Sequence, residues 1–487
     1  MSPLFRPVGG PAAGGVCWRS MGDTTLSGEH FNEDDDAPRN GRGALGLMIA
    51  WSQAEPWRVG EIALVPRRGR CVLGRGAAGA GEEPRLAFRP LRPGPRPPEI
   101  PLEGKGLSRR QIVVSESKEQ LALENAGKAA LWQGSRKVDA ATLEPGDRVY
   151  LEHQLLLLCV ERGNDFSPHA APSFAFGAPD PFGLVGESEA AWKLRERIEF
   201  CARREGHVLV LGPSGAGKEL AARAVHGHST RRGRPFISRN AATIPAGILD
   251  AELFGNARNY PNPGMRERQG LVGAADGGAL FLDEIGELPE ELQAHLLRLL
   301  DSGEFHRLGE DRSSRSDLRL IAATNRDLTA LKHDFLARFA LRIAVPGLAE
   351  RRDDLPLLLR SLLRRIFARD QELAGRFLDE HGEPRLDPAL VDALLEHDYP
   401  ANLRELEQLL LLSMSDSPRD RLLLTAELKA QLRQRSEARP PPSVEEIRAC
   451  LERVGGNVSA AWKELGLSSR DALRRLIRKH NIPVPRS

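Results

Sequence analysis

Residues 212–219 read Gly-Pro-Ser-Gly-Ala-Gly-Lys-Glu, set between an apolar run (Val208–Leu211) and a helix-patterned run (Leu220–Val225). A strand, a glycine loop and a helix in that order leave few folds open, because the chain must pass from a sheet edge into a helix N-terminus. Glycines allow successive backbone N–H groups to curl round phosphate oxygens, and Lys218 adds a cation for the β and γ oxygens. Downstream, Phe281-Leu-Asp-Glu284 ends a buried-strand pattern in paired acids. Asp283 is placed to hold Mg²⁺ and Glu284 to polarise an attacking water. Taken singly, these are a glycine turn and a solvated acid pair. In this order and context they predict a site that binds and hydrolyses a nucleoside triphosphate.

Length and pattern predict several domains. A chain of 487 residues implies roughly three on a length prior of about 150 residues each. The formal net charge of +2 is too small to argue for nucleic-acid binding across the whole chain, so any such contact must be local. Cys17, Cys71, Cys159, Cys201 and Cys450 are scattered without a C-x-x-C pair, which argues against zinc and disulfides and predicts a cytoplasmic protein. No apolar run reaches the ~20 residues of a membrane span. Residues 1–43 are rich in Gly, Pro, Asp and Asn and read as disordered. Residues 44–162 carry short apolar runs separated by turn signals (Ile62–Val65, Cys71–Leu73, Gln111–Val114, Gln120–Leu123, Arg148–Leu151, Leu155–Val160), the pattern of a β-sandwich. A linker follows at 163–182, then alternating strands and helices at 183–345, a Leu-rich helical stretch at 346–432, a second linker at 433–442 and a helical unit at 443–487. The fold class expected is therefore multidomain: a β-sandwich, a central α/β P-loop domain with a helical lid, and an all-α C-terminal unit.

Across 183–432 the chain resembles the AAA+ domain of sigma-54-dependent transcription activators. The resemblance rests on Val185–Ser188, the phosphate loop, Asn240-Ala-Ala, Glu252–Gly255, Ala275–Pro289, Gly303-Glu-Phe, Ile321–Leu328 and Asn402–Leu406. It implies ATP and Mg²⁺ as cofactors, with nucleotide contacts from Gly212, Pro213, Ser214, Gly215, Ala216, Gly217, Lys218 and Glu219. Glu219 stands where a generic phosphate loop has Ser or Thr, and Glu is usual there in this family. By the same resemblance Asn325 is the polar sensor at a strand end, Arg404 the sensor arginine of the lid, and Asn240 the residue that restrains Glu284. The family assembles as rings with arginine fingers supplied in trans. Its Phe-Arg-x-Asp-Leu-x-x-Arg-Leu pattern aligns with Leu331–Phe339, so Arg338 matches one finger while Lys332 replaces the other and lacks the bidentate fork. The family's Gly-Ala-Phe-Thr-Gly-Ala loop, which touches sigma-54, is replaced by Asn259–Gly264, where two prolines stiffen the tip.

The flanking regions carry resemblances of their own. Residues 60–162 resemble a forkhead-associated (FHA) domain through Leu73–Gly76, Leu107–Arg110 and Leu143–Leu151. That likeness puts Arg75, Ser108 and Arg109 where a phosphothreonine would bind, while Gln111 replaces the usual structural His. The peptide expected is a partner's or the chain's own N-terminus, phosphorylated at Thr24 or Thr25. At the other end, Gly455–Gly466 resembles a Fis-type helix-turn-helix, with helices expected at Ser443–Val454, Val458–Leu465 and from Ser468 or Ser469 to His480. Residues 441–487 hold nine Lys or Arg against five Asp or Glu. Leu473, Leu476 and Ile477 would face the core. Ser469, Arg470, Asp471 and Arg474 would then meet base edges of promoter-upstream DNA, and Arg475, Arg478 and Lys479 its phosphates.

These parts in order imply a cytoplasmic transcription regulator that reads a phosphopeptide, hydrolyses ATP as a dimer-to-hexamer assembly, and acts on RNA polymerase carrying sigma-54. The altered loop keeps a rival open: a DNA-binding regulator or scaffold that binds nucleotide without activating that polymerase.

Overall fold

The longest strand of the N-terminal region, β1 (Ala44–Ser52), lies outside the apolar runs singled out above. The computed structural model describes residues 43–117, 120–163, 172–325, 328, 331–437, 442–465, 467, 473, 476–477, 480 and 482–484. Strands β2 (Ile62–Leu64), β3 (Cys71–Leu73), β4 (Ile112–Ser117), β5 (Gln120–Asn125), β6 (Leu131–Gln133), β7 (Arg136–Val138), β8 (Ala140–Leu143), β9 (Arg148–Leu151) and β10 (Leu155–Arg162) follow β1. They form two antiparallel sheets, one ordered β2-β1-β10-β9-β6-β7 and the other β3-β4-β5-β8. Alternation along β1 and β10 sorts their side chains: Leu47, Ile49, Leu157 and Cys159 pack against Leu73, Ile112 and Leu121 of the second sheet. The opposite face, with Met48, Ala50, Leu156 and Leu158, is also buried. Both strands are thus covered on both sides, which is why they read as unbroken apolar runs rather than an alternating pattern.

The central domain places five parallel strands in the order β12-β13-β16-β11-β17. These are β11 (Val208–Leu211), β12 (Phe236–Asn240), β13 (Ala279–Asp283), β16 (Arg319–Thr324) and β17 (Leu341–Ala344), with the hairpin β14 (Glu304–His306) and β15 (Ser313–Arg315) set apart. Helices α1 (Glu189–Ala202) and α2 (Lys218–His228) cover one face, where Val208, Val210, Phe281 and Ile321 point. Helices α3 (Leu249–Phe254), α4 (Gly270–Ala274), α5 (Glu290–Ser302) and α6 (His333–Ala337) cover the other, around Leu209, Leu280, Leu282 and Leu320. Parallel strands send every carboxyl end to one edge, which is where an open α/β sheet binds ligands. Asn240, Asp283 and Asn325 all lie at or just beyond such ends.

After a short 3₁₀ stretch (Leu348–Asp354) come the lid helices α7 (Leu355–Phe367), α8 (Gln371–Phe377), α9 (Pro388–Glu396), α10 (Asn402–Asp416) and α11 (Ala426–Glu437). The lid core is built from Leu355, Leu359, Leu394, Leu406 and Leu409, and it is continuous with the outer face of β1 and β10. Farther on, α12 (Val444–Arg453) begins at a capping box between Ser443 and Glu446, and α13 (Val458–Glu464) follows a Gly455-Gly456 turn. Ile447, Cys450, Leu451, Ala461 and Leu473 make a small core there, with Leu476 and Ile477 packed against it. No helix among the described residues is long and apolar enough to cross a membrane.

Candidate nucleotide-binding site

The phosphate loop runs from the end of β11 into α2, and its backbone admits only glycine at two tight points. Gly215 has φ +75°, and a Cβ there would stand 2.4 Å from the carbonyl oxygen of Ala401 in the lid. A Cβ on Gly212 would stand 2.6 Å from that of Val345, just beyond β17. The loop is thus pressed between the sheet and the lid, with its N–H groups at the N-terminus of α2. Lys218 opens that helix and is buried; its Nζ donates to the carbonyls of Gly212 (3.1 Å) and Pro213 (3.4 Å) and lies 3.7 Å from Glu284 Oε1. Pro213, Ser214, Ala216 and Gly217 complete the loop, with Gly217 as the helix N-cap. Glu219 points outward and pairs with Arg223 one turn on, at 2.7 Å.

Two carboxylates face Lys218. Asp283 ends β13, and its Oδ1 accepts from the Glu284 N–H at 3.0 Å. Burial raises the Asp283 carboxyl pKa, the Lys218 ammonium opposes that, and the Glu284 carboxylate adds to it. Glu284 sits at φ +53°, a left-handed conformation that costs a non-glycine residue about 1 kcal/mol or more and is concentrated at functional sites. Its Oε2 accepts from the Asn325 backbone N–H at 3.4 Å. A hard carboxylate at a strand end beside a phosphate loop suits Mg²⁺, so the donor set fits the cofactor pair that the sequence implies. Asn240 lies beside Asp283 in register, but its Oδ1 accepts from Ala242 N (2.9 Å), capping the turn that follows. In this structure its side chain caps that turn, while the Glu284 carboxylate meets the Asn325 N–H and the Lys218 ammonium.

The lid completes the site. Arg404 Nη1 donates to Ser214 Oγ at 3.1 Å. Two residues earlier, Asn402 (φ +54°) ties three segments together: its Nδ2 donates to Ser214 O (2.9 Å) and its Oδ1 accepts from Leu348 N (2.8 Å). The Leu403 N–H reaches Gly215 O at 3.3 Å. Beneath the loop, Arg351 Nη2 donates to Ala216 O at 3.3 Å, and Asp354 accepts from Glu187 N, Ser188 N and Ser188 Oγ at 2.6–2.7 Å. Sequence reasoning missed Asn402, Arg351 and Asp354 as site residues. The Asn-Leu-Arg-Glu run contained the first of them, but nothing local marks the other two.

The remaining candidates are dispersed. Arg338 makes a fork on Asp301 of α5, at 2.6 and 3.2 Å, and Lys332 Nζ lies 3.3 Å from Glu290. The Asn259–Gly264 segment forms a braced loop. Asn256 beneath it is buried and donates to the carbonyls of Ala257, Tyr260 and Arg266, while Asn259 Oδ1 accepts from Gly264 N at 3.0 Å. Tyr260 (41% exposed) and Met265 (37%) are its apolar protrusions. In the β region, Arg75, Ser108 and Arg109 come together at one end with Lys105 and Lys128. Arg75 N donates to Ser108 O (3.1 Å), Arg75 Nη1 to Lys105 O (3.4 Å) and Lys128 N to Ser108 Oγ (3.0 Å). Gln111, fully buried, braces these loops: Oε1 accepts from Ser108 N, and Nε2 donates to Asn125 Oδ1 (2.9 Å) and Ala129 O (3.0 Å). Gln111 therefore holds the Ser108 loop to the turn after β5, and Asn125 is committed to that brace. Ser469, Arg470, Asp471, Arg474, Arg475, Arg478, Lys479, Thr24 and Thr25 lie outside the described residues.

Comparison with known proteins agrees with this geometry. Residues 184–347 match the sigma-54 interaction domain family, and residues 349–444 match an AAA+ ATPase lid domain. The transcriptional regulatory protein ZraR of Escherichia coli K12 is 36% identical over 312 residues, covering 61% of this chain and 69% of ZraR. The Nif-specific regulatory protein of Bradyrhizobium diazoefficiens is 41% identical over 233 residues, covering 46% of this chain and 38% of that protein. Among solved structures, NtrX from Brucella abortus in complex with ADP is 33% identical with a TM-score of 0.44, covering 62% of this chain and 69% of NtrX. With a P-loop and a lid in place, and more than two thirds of ZraR matched at this identity, the chain belongs to the sigma-54-dependent family of AAA+ transcription regulators.

Proposed function

We propose that this chain is a DNA-binding transcription regulator that hydrolyses ATP to act on RNA polymerase carrying sigma-54, under control of a phosphopeptide-reading β region. The observation that carries the reading is the convergence of Lys218, Asp283, Glu284, the Asn325 strand end and the lid residue Arg404 on one glycine loop. Phosphoryl transfer is chiefly positioning and charge neutralisation, and each residue has a part in it. Loop N–H groups and Lys218 hold the β and γ phosphates. Asp283 would hold Mg²⁺, which when bound neutralises charge between the two phosphates. Glu284 takes the proton from a water that attacks the γ-phosphorus, releasing ADP and phosphate. Asn325 and Arg404 report on the γ-phosphate from the strand edge and the lid. Arg338, exposed on α6's end, serves a neighbouring copy in a dimer-to-hexamer assembly and must exchange Asp301 for phosphate to do so.

The basic loop end of the β region supports phosphothreonine reading, because arginine forks and a hydroxyl suit a dianion. Arg75→Ala and Ser108→Ala are each expected to weaken binding of a phosphothreonine peptide spanning Thr24 and Thr25 about tenfold, read by calorimetry. Undiminished affinity in both variants would leave the β region a structural element. Ser469–Lys479 would contact DNA, in the roles given above.

A second reading is favoured by one observation, the sequence Asn259–Gly264, with its two prolines, in the place of the family's contact tip. Under that reading the chain binds nucleotide and DNA but does not open sigma-54 promoters. Open-complex formation by sigma-54 polymerase with the full chain, ATP and upstream DNA separates the two.

A further inference from the structure

The outer face of β1 and β10 and the lid helices form one hydrophobic core. Met48, Trp51, Leu156 and Leu158 of the sheet pack with Leu357 and Leu359 of α7 and with Val391 of α9. The fit is close: a Cβ added at Gly60, in the turn before β2, would stand 2.8 Å from Leu357 Cδ2. Polar contacts rim this core on three sides. Trp51 Nε1 donates to Leu386 O at 2.9 Å, Arg148 reaches Asp392 at 2.6 Å and Glu396 at 3.7 Å, and Arg360 Nη1 donates to Trp57 O at 3.3 Å. Such a seam, apolar inside and ion-paired at the edge, has the anatomy of a stable interface rather than of two domains joined by a linker.

The same β region also holds the α/β domain. Arg92 pairs with the buried Glu187 at 3.2 Å and lies 4.8 Å from the Phe174 ring centroid and 5.5 Å from that of Trp192 in α1. Arg162 pairs with Asp353, at the hinge between sheet and lid. One rigid sandwich of strands therefore grips both sides of the nucleotide site, and the lid it grips touches the phosphate loop through Asn402, Leu403 and Arg404.

From this geometry we infer that the N-terminal β region is a built-in clamp that holds the lid against the phosphate loop and so slows nucleotide release. The inference deepens the nucleotide-binding reading and rests on it for its output, though not for the clamp itself. Lid opening in an AAA+ unit requires α7–α10 to move relative to the sheet, and here that movement must break the seam or carry the β region along. A ligand of the β region would act on nucleotide by changing how firmly the seam holds. The segment 53–58 is placed to pass this on: Glu55 accepts from Glu103 N at 3.0 Å next to the basic loop, and Arg421 Nη1 donates to Gln53 Oε1 at 3.5 Å on the lid side.

The test is a charge-reversal cycle in the full-length chain: Arg148→Asp, Asp392→Arg and both together. Amide hydrogen exchange of α9 and the rate of release of a fluorescent ADP analogue are measured for each. Each single variant is expected to exchange faster in α9 and release the analogue about threefold faster or more, and the double variant to return toward the parent on both counts. Circular dichroism spectra of the single variants that match the parent's show that they are folded. Unchanged α9 exchange in the single variants overturns the clamp whatever nucleotide does. Faster exchange with unchanged release overturns its link to the site. Failure of the parent chain to bind the analogue overturns both that link and the nucleotide reading, while leaving the exchange result to judge the seam separately.

Discussion

Lys218→Ala is expected to abolish measurable nucleotide binding while leaving the fold in place. The Lys218 ammonium is buried within reach of two loop carbonyls and the Glu284 carboxylate, so its donors are already aimed into the loop. Charge-assisted hydrogen bonds to phosphate contribute about 1.5–3 kcal/mol each, and two of them lost together amount to about 3–6 kcal/mol, or a weakening of about 100- to 10,000-fold. Removing the cation also leaves Asp283 and Glu284 facing each other across a half-buried space, which opposes an anionic ligand further. Alanine at the first position of α2 is a good helix former, so the helix itself should persist. Titration with a fluorescent ADP analogue checks the first point and circular dichroism the second. Retained affinity would mean that the loop amides alone hold the nucleotide.

Asp354→Ala carries the largest expected loss of stability. The Asp354 side chain is fully buried and accepts three hydrogen bonds at 2.6–2.7 Å from Glu187 and Ser188. Burial raises its carboxyl pKa and lowers that of the neighbouring Arg351, each group opposing the other's shift. Alanine would orphan two backbone N–H groups and deprive the buried Arg351 of the larger of its two acidic neighbours' effects, at a cost of about 3–5 kcal/mol. For a unit of this size that corresponds to a fall of about 10 °C in the melting temperature. Asp354→Asn keeps the volume and two acceptor contacts and should lose less. A scan following the α/β and lid transition distinguishes the three proteins; equal melting points would show that the network is not under tension.

The residues that sequence reasoning found share one property: each belongs to a short run whose chemistry is visible within a few positions. The glycine loop, Asp283-Glu284 after an apolar strand, and Asn325 after Ile321-Ala-Ala-Thr are of this kind, and parallel strand ends gather them at one edge. Those it missed act across distance. Asn402 reaches Ser214, Arg351 reaches Ala216 and Asp354 reaches Ser188, contacts that no local pattern encodes. The β region shows the same limit. Strands β2 to β5, β9 and β10 were visible as apolar runs, yet the unbroken Leu155–Val160 run also meant burial on a second face, and what covers that face is the lid some 200 residues later. The strands β6 and β7 are three residues each and are held by pairing to β9 and to each other, too short for a run of apolar residues to reveal them. Gln111 is another residue that acts across distance, its amide joining the Ser108 loop to Asn125.

In the proposed function the loop at Asn259–Gly264 would couple hydrolysis to transcription. Its base is pinned by Asn256, so movement of the hairpin beneath it would be delivered to Tyr260 and Met265 rather than absorbed. Heparin-resistant open complexes formed by sigma-54 polymerase on a promoter with upstream DNA, in the presence of the full-length chain, measure that coupling directly. Complexes that form with ATP, fail with a non-hydrolysable analogue and are lost on Tyr260→Ala are the predicted result. ATP turnover at a normal rate with no open complexes, on DNA the chain demonstrably binds, would contradict it.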